Sequence, residues 1–304
     1  MNGNNPIYIF YYNATQLKQS IYYHSQSIRS THQIPHTIFQ SWSDLVDEHA
    51  TPLLYNAIQS WSIHNPSYQH YVFTDTAVVQ YVDQYLHDQH GDKLYEHRYD
   101  IIESYHKLQL NVQQIDLWRL LIIYEYGGIY ADIDTQCNDS IDQWGINSDS
   151  TMISGLGVRG DLHQWLLVYI PHHTLIYDTI LNVIDNILNN DLNYINSNVE
   201  AISGPTVLQY TYEQLLHNTE NNDLLLHMQL LPGDYMNGHV TFKVNGIDSE
   251  LHSLGHTHWI DIQNTYKFYN NLMFASIAVM TLLCSLILLY RNRDKLKILR
   301  NHVR

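Results

Sequence analysis

Positive charge is scarce in this 304-residue chain, with 15 Lys and Arg against 30 Asp and Glu and a net charge of −15. Six of those 15 (Arg291, Arg293, Lys295, Lys297, Arg300 and Arg304) sit in residues 291–304 beside a single acid, Asp294, so this tail is +5 and the remainder −20. An acidic body of this kind excludes nucleic acid as a partner, which requires a basic face. Cysteine is nearly absent too: Cys137 and Cys284 are the only two, and Cys284 lies inside an apolar run. A disulfide framework is thereby excluded, and no zinc-type spacing exists. The 20 histidines are scattered among abundant Tyr and Asn and are not read as a metal-binding composition.

Long apolar runs are absent except for one. Leu272 to Tyr290 is 19 residues without a charge. At ~1.5 Å per residue it covers roughly 28 Å, against a hydrocarbon core of about 30 Å. Tyr266, Phe268, Tyr269 and Tyr290 flank it as an aromatic belt would, and the basic tail follows. The expectation is a transmembrane helix over 272–290 with a cytoplasmic tail over 291–304. Residues 1–271 then lie on the lumenal or outer side, in a Golgi/ER-type arrangement. The N-terminus lacks a basic segment and is a poor signal peptide, so a tail-anchored protein with a cytosolic body is the alternative. Residues 1–32, polar and weakly patterned, are assigned to a leader or stem. Asn13-Ala14-Thr15 and Asn138-Asp139-Ser140 are glycosylation sequons.

The folded region is expected over 33–265. Ile34 to Trp42 reads as a buried opening strand, Thr51-Pro52 opens a helix through Trp61, and Asn65-Pro66-Ser67 turns into a strand from Tyr68 to Phe73. Strand, helix, strand implies a parallel unit of an α/β fold. A helix is predicted over Val112–Tyr126, with Asn111 as N-cap, Gln114 at the capping-box position and Gly127 at its end. It is apolar around most of its girth, yet carries Asp116 and Arg119 three residues apart on one face. These form either an internal ion pair or a polar pair lining a cleft.

After Gly127-Gly128 the chain reads as a strand, Ile129-Tyr130-Ala131-Asp132-Ile133-Asp134. A period of two puts Tyr130, Asp132 and Asp134 on one face, opposite Ile129, Ala131 and Ile133. Two same-face carboxylates suit a hard divalent cation with oxygen ligands; a bare D-x-D also fits a solvated strand end.

The order IPHTIFQSW (34–42), NPSYQHYVFTD (65–75) and DLWRLLIIYEYGGIYADIDTQC (116–137) resembles glycosyltransferase family 32, the D-x-D sugar transferases. That family includes initiating mannosyltransferases and the catalytic subunits of mannosyl inositol phosphoceramide synthases. Ile170-Pro171-His172-His173, Ser203-Gly204-Pro205 and His256-Thr257-His258-Trp259 resemble its later segments, although Thr174 replaces a proline and no serine precedes Trp259.

The resemblance implies a GT-A, Rossmann-like α/β nucleotide-sugar transferase domain plus the C-terminal transmembrane helix. It also implies a set of roles. Asp134 would bind Mn²⁺ or Mg²⁺ directly, with Asp132 on the ribose or a metal-bound water. Asp116 and Arg119 would hold donor-sugar hydroxyls, with Arg119 also near the diphosphate. Tyr130 would line the same pocket, and Gln40 and Trp42 would contact the nucleotide. His256 and His258, as further metal ligands, and Trp259, on the donor side, would close over the diphosphate.

The activity implied is a retaining hexosyl transfer, with mannose from GDP-mannose to a membrane glycolipid such as an inositol phosphoceramide as the leading expectation. A regulatory membrane subunit is a compatible partner. The alternative within the class is a UDP-sugar donor and a protein glycan or polysaccharide acceptor. Outside it stand a non-catalytic membrane-anchored sugar-nucleotide-binding module and a glycoside hydrolase. The hydrolase would need two carboxylates about 5 to 9.5 Å apart across the scissile bond and has no use for the Asp-x-x-Arg pair.

Overall fold

The computed structural model describes residues 10–11, 33–43, 49, 51–85, 93–157, 160–217, 227–231, 236–253 and 257–302. They fall into two compact units, Met1–His258 and Trp259–Arg304. The division comes a few residues before the boundary at 265 expected from the sequence.

The first unit opens as the sequence predicts, with strand β2 (Thr37–Trp42), helix α1 (Pro52–His64), strand β3 (Gln69–Thr74) and helix α2 (Asp75–Tyr85). β2 and β3 run parallel, with Ile38 opposite His70 and Gln40 opposite Val72. The polar stretch after residue 86 supplies α3 (Arg98–Lys107), followed by α4 (Asn111–Tyr126) and β4 (Gly128–Ala131). β4 lies parallel to β2. A short strand β1 (Phe10–Tyr11), inside the segment expected to be leader or stem, pairs parallel with β3 at the sheet edge.

The second half adds β5 (Gln136–Cys137), β6 (Met152–Gly155), β7 (Leu166–Tyr169), α5 (Thr174–Leu188), α6 (Leu192–Ser197), α7 (Val199–Ile202), α8 (Pro205–His217), β8 (Met228–Leu231), β9 (Val240–Thr241) and α9 (Ile247–Ser253). The main sheet has the order β1-β3-β2-β4-β7-β6-β8, and β5 pairs with β9 in a separate ribbon. β7 is antiparallel to both β4 and β6, so the sheet is parallel on one side of β4 and mixed on the other. This is the α/β, Rossmann-like layout expected of a GT-A domain.

The predicted alternation along β4 is real as far as Ala131. Ile129 and Ala131 join Ile38, Trp61 and Val168 on one side of the sheet. Tyr130 joins Phe39, Trp118 and Leu167 on the other, against α4. Leu117, Leu120, Leu121 and Ile122 of α4 are fully buried. Burial of each aliphatic side chain is worth roughly 1.5–3 kcal/mol, which offsets the cost of keeping two charges in the same helix.

Two local expectations change. Asn111 is not the N-cap of α4: it is the first helical residue, and its Nδ2 donates to Asp75 Oδ2 at 3.1 Å while Leu110 occupies the cap position. The strand also stops at Ala131, before either acid. The Asp132 carbonyl accepts the Thr135 N–H at 3.1 Å and the Thr135 hydroxyl at 2.6 Å, which makes Asp132–Thr135 a turn. The strand period therefore does not extend to Asp134.

The joint between α4 and β4 requires its two glycines. Gly127 has φ +62° and Gly128 φ +88°, and a Cβ would lie 2.5 Å from Pro171 N in the first case and 2.6 Å from Thr37 O in the second.

The second unit is one helix, α10, Trp259–His302. It contains the predicted 272–290 span, and it is the one helix among the described residues long and apolar enough to cross a membrane. Phe274 is 64% exposed and Leu282 60% exposed along it.

Candidate functional site

The centre of the first unit is a buried charged cluster formed where α4 passes the end of β4. Arg119 Nη2 lies 3.2 Å from Asp116 Oδ1, and Arg119 Nη1 lies 3.2 Å from Asp132 Oδ1. One guanidinium thus ties the helix carboxylate to the first acid of the D-x-D. The planar fork suits this, because each end of the group donates in a fixed direction. The Tyr130 hydroxyl donates to the same Asp132 oxygen at 2.7 Å, and the Tyr130 ring lies beneath the guanidinium, 4.7 Å from Cζ to the centroid. Tyr130 is itself only 1% exposed, so it supports Arg119 and Asp132 from below.

Backbone contacts hold the cluster in place. The Asp132 N–H donates to the Trp165 carbonyl at 2.8 Å, just before β7. Gln40 Nε2 donates to the Asp132 carbonyl at 3.3 Å. Gln40 Oε1 accepts from His70 Nε2 at 2.8 Å, and the Ser62 hydroxyl donates to His70 Nδ1 at 2.8 Å. Burial holds His70 down at about 3, so it is neutral in the folded chain. Gln40 is completely buried and acts here through Asp132. Trp42 is half-buried and packs on the cluster that contains Ile133, the middle residue of the D-x-D.

Three contributors are not among the site residues expected from the sequence. The Ser203 hydroxyl donates to Asp116 Oδ2 at 2.9 Å, Gln164 Nε2 donates to the Ser203 carbonyl at 2.8 Å, and Arg119 Nη1 donates to the Gln164 carbonyl at 3.2 Å. The Ser-Gly-Pro helix start gave a signal for Ser203, since Gly204 lets this turn close over Glu200. Gln164 had none. The third is Lys243, which follows β9: Val244 N–H donates to the Asp134 carbonyl at 3.0 Å and so brings residue 243 against the D-x-D turn.

The electrostatics describe a site short of positive charge. Burial pushes Asp116 up to about 6 against the opposing pull of Arg119 and Ser203. Asp132 is raised by burial despite Arg119 and Tyr130. Asp134 is pushed up to about 7, by burial first and then by the neighbouring Asp132. Arg119 stays charged: burial opposes its charge, but the surrounding anions outweigh it.

Among the described residues, no three His, Cys, Asp or Glu side chains converge as a complete metal cage. Asp132 and Asp134 nevertheless fit a hard cation. Both are oxygen donors whose ionised forms are disfavoured until positive charge arrives, and Mg²⁺-type ions are held by one or two carboxylates with substrate phosphates completing the shell. His256 lies outside the described residues. His258 ends the first unit and Trp259 begins α10.

Residues 52–151 match the family described as "Glycosyltransferase sugar-binding region containing DXD motif". The chain is 29% identical over 140 residues to an initiation-specific alpha-1,6-mannosyltransferase of Candida albicans, covering 43% of this chain and 34% of that protein. It is 23% identical over 154 residues to inositol phosphoceramide mannosyltransferase 1 of Schizosaccharomyces pombe, covering 50% of this chain and 43% of that one. The chain thus spans less than half the length of these curated relatives. Among solved structures, the PaToxG glycosyltransferase superposes with a TM-score of 0.45 at 16% identity, over 70% of this chain and 85% of its own.

Proposed function

We propose that this chain, whose residues 52–151 match the D-x-D sugar-binding region of glycosyltransferases, transfers a hexose from a nucleoside-diphosphate donor, and that mannose from GDP-mannose passes to an inositol-phosphoceramide-type glycolipid. The observation that carries the reading is the buried Asp116–Arg119–Asp132 relay with Asp134 on the adjoining turn. It occupies the carboxyl end of β4, where open α/β sheets bind their ligands. The resemblance supports retention of anomeric configuration.

The residues divide the work by chemistry. Asp132 and Asp134 would hold Mn²⁺ or Mg²⁺, which when bound neutralises the negative charge that develops on the departing diphosphate. Asp116 is locked by Arg119 and Ser203 and can accept from a sugar hydroxyl. Arg119 Nε and Gln164 Oε1 are buried with no hydrogen-bond partner among the described residues. An N–H donates and an amide oxygen accepts, so a sugar hydroxyl suits either atom. Tyr130 and Gln40 fix Asp132 so that little rearrangement is needed as charge develops.

The exposed apolar face of α10 supports a membrane anchor and, with it, an acceptor carried on a lipid. The basic residues of 291–304, which follow the apolar span 272–290, support a cytoplasmic tail and a lumenal catalytic unit. Protease protection of the catalytic unit in sealed microsomes supports that topology, and cleavage assigns the unit to the cytosol.

The test of activity is Mn²⁺-dependent turnover of GDP-mannose, UDP-glucose and UDP-galactose by the full chain in detergent, with and without inositol phosphoceramide. Mannose transfer from GDP-mannose that chelation abolishes is expected. Preference for a UDP-sugar moves the reading to the alternative donor, and failure to cleave any donor moves it to a non-catalytic binding module.

A further inference from the structure

We infer that Lys243 is a second, protein-borne cation for the donor's diphosphate, acting beside Arg119 at the D-x-D turn. The inference deepens the proposed function and rests on it. Lys243 lies on the loop after β9, clasped to the turn by the Val244 N–H to Asp134 carbonyl bond of 3.0 Å. Its backbone is in the left-handed region, φ +53°, which side chains other than glycine rarely adopt and which tends to persist where surrounding contacts over-determine it.

Those contacts form a layered column. The His163 ring lies 4.6 Å from the Trp165 ring, Trp165 stacks on Phe242 at 4.7 Å with 15° between planes, and Lys243 Nζ lies 5.5 Å from the Phe242 centroid. The base of the column is fixed to the site, because the Trp165 carbonyl holds the Asp132 N–H. A ring face attracts an ammonium, so the column places the lysine head as well as its stem.

Both aspartates of the turn feel the Lys243 charge. Even so, among the described residues Lys243 forms no ion pair within 4 Å, and its side chain is exposed. Its positive charge is close to the acids without being consumed by them. With Asp116, Asp132 and Asp134 ionised and Arg119 charged, the cluster is −2; Lys243 makes it −1, and a divalent ion then leaves it +1. Without Lys243 the loaded site is neutral and attracts the anionic diphosphate less. An ammonium serves as a point charge for phosphate, while Arg119 is already committed to two carboxylates.

The test compares the full-length wild type, Lys243→Ala and Lys243→Arg in detergent, by calorimetric titration with GDP, UDP and Mn²⁺, and with guanosine and uridine as diphosphate-free controls. In the presence of Mn²⁺, Lys243→Ala is expected to bind its preferred nucleoside diphosphate about tenfold or more weakly, with Lys243→Arg recovering most of the loss. Binding of Mn²⁺ alone and of the nucleoside should not weaken. Undiminished diphosphate binding by Lys243→Ala, with wild type binding normally, overturns the role of Lys243 and leaves the proposed function standing. Equal weakening of nucleoside and diphosphate also overturns it, since that marks general damage to the loop. A wild type that binds neither GDP nor UDP overturns both readings.

Discussion

Arg119 holds Asp132 at 3.2 Å across a boundary of secondary structure, from the middle of a buried helix to the turn that ends its neighbouring strand. The same guanidinium holds Asp116 at 3.2 Å, so two acids 16 residues apart share one cation. Helix, turn and site are mechanically a single object, and the predictions test its parts separately.

Asp134 is the acid without an arginine. Asp134→Ala is expected to reduce transfer at least about a hundredfold, because charge stabilisation at a leaving group is worth several kcal/mol. Its thermal midpoint should match or exceed wild type, since the change removes a carboxylate that burial and Asp132 both push toward protonation. Turnover assays paired with thermal melts check this. Normal turnover would remove the site as proposed.

Arg119→Ala should behave differently, losing activity and stability together. It leaves Asp116 and Asp132 without their shared counter-charge, a change that costs about 3–5 kcal/mol for a buried pair. Urea unfolding measures it. Asp116→Asn combined with Arg119→Met should recover part of the stability and none of the transfer.

Ser203→Ala removes the hydroxyl that Asp116 accepts at 2.9 Å. Hydrogen bonds to charged groups contribute roughly 1.5–3 kcal/mol, so a loss in that range is expected from equilibrium unfolding. Ser203→Thr, which keeps the hydroxyl, should cost less.

His70 predicts an acid-sensitive fold. Its pKa is about 3 in the folded chain, against 6.5 for an ordinary histidine, so below 6.5 the unfolded chain takes up a proton that the folded chain refuses. Stability is therefore fully present above 6.5 and falls as pH drops from 6.5 toward 3, at up to about 1.4 kcal/mol per pH unit for this one group. Unfolding free energies across that range should show a steeper slope for wild type than for His70→Gln.

Gly128→Ala tests the joint. With φ +88° and the Thr37 carbonyl 2.6 Å from the would-be Cβ, both backbone strain and collision oppose it. Destabilisation of more than about 1 kcal/mol is expected by thermal or chemical unfolding.

Much of this was readable in the chain. The 3.6-residue period put Asp116 and Arg119 on one helix face, and the two glycines marked where that helix ends. The parallel unit around β2 and β3 followed from two apolar runs with a proline-started helix between them. Reading Asp134 as a strand residue failed because turn formation depends on what pairs with the Asp132 backbone groups: Thr135, Gln40 and Trp165 do so, and two of these are distant in sequence. The Asn111 cap failed likewise, since Asp75 competes for its side chain.

By itself, then, the sequence determined the α/β order, the apolar span within α10, and which helix and which strand end carry the charged groups, because these depend on local periodicity and composition. Only the tertiary structure decided that Arg119 bridges two acids, that Ser203, Gln164 and Lys243 join them, and that Tyr130 lies beneath them as support. Those contacts join residues far apart in the chain, and no local pattern encodes which buried charge another segment will be folded against.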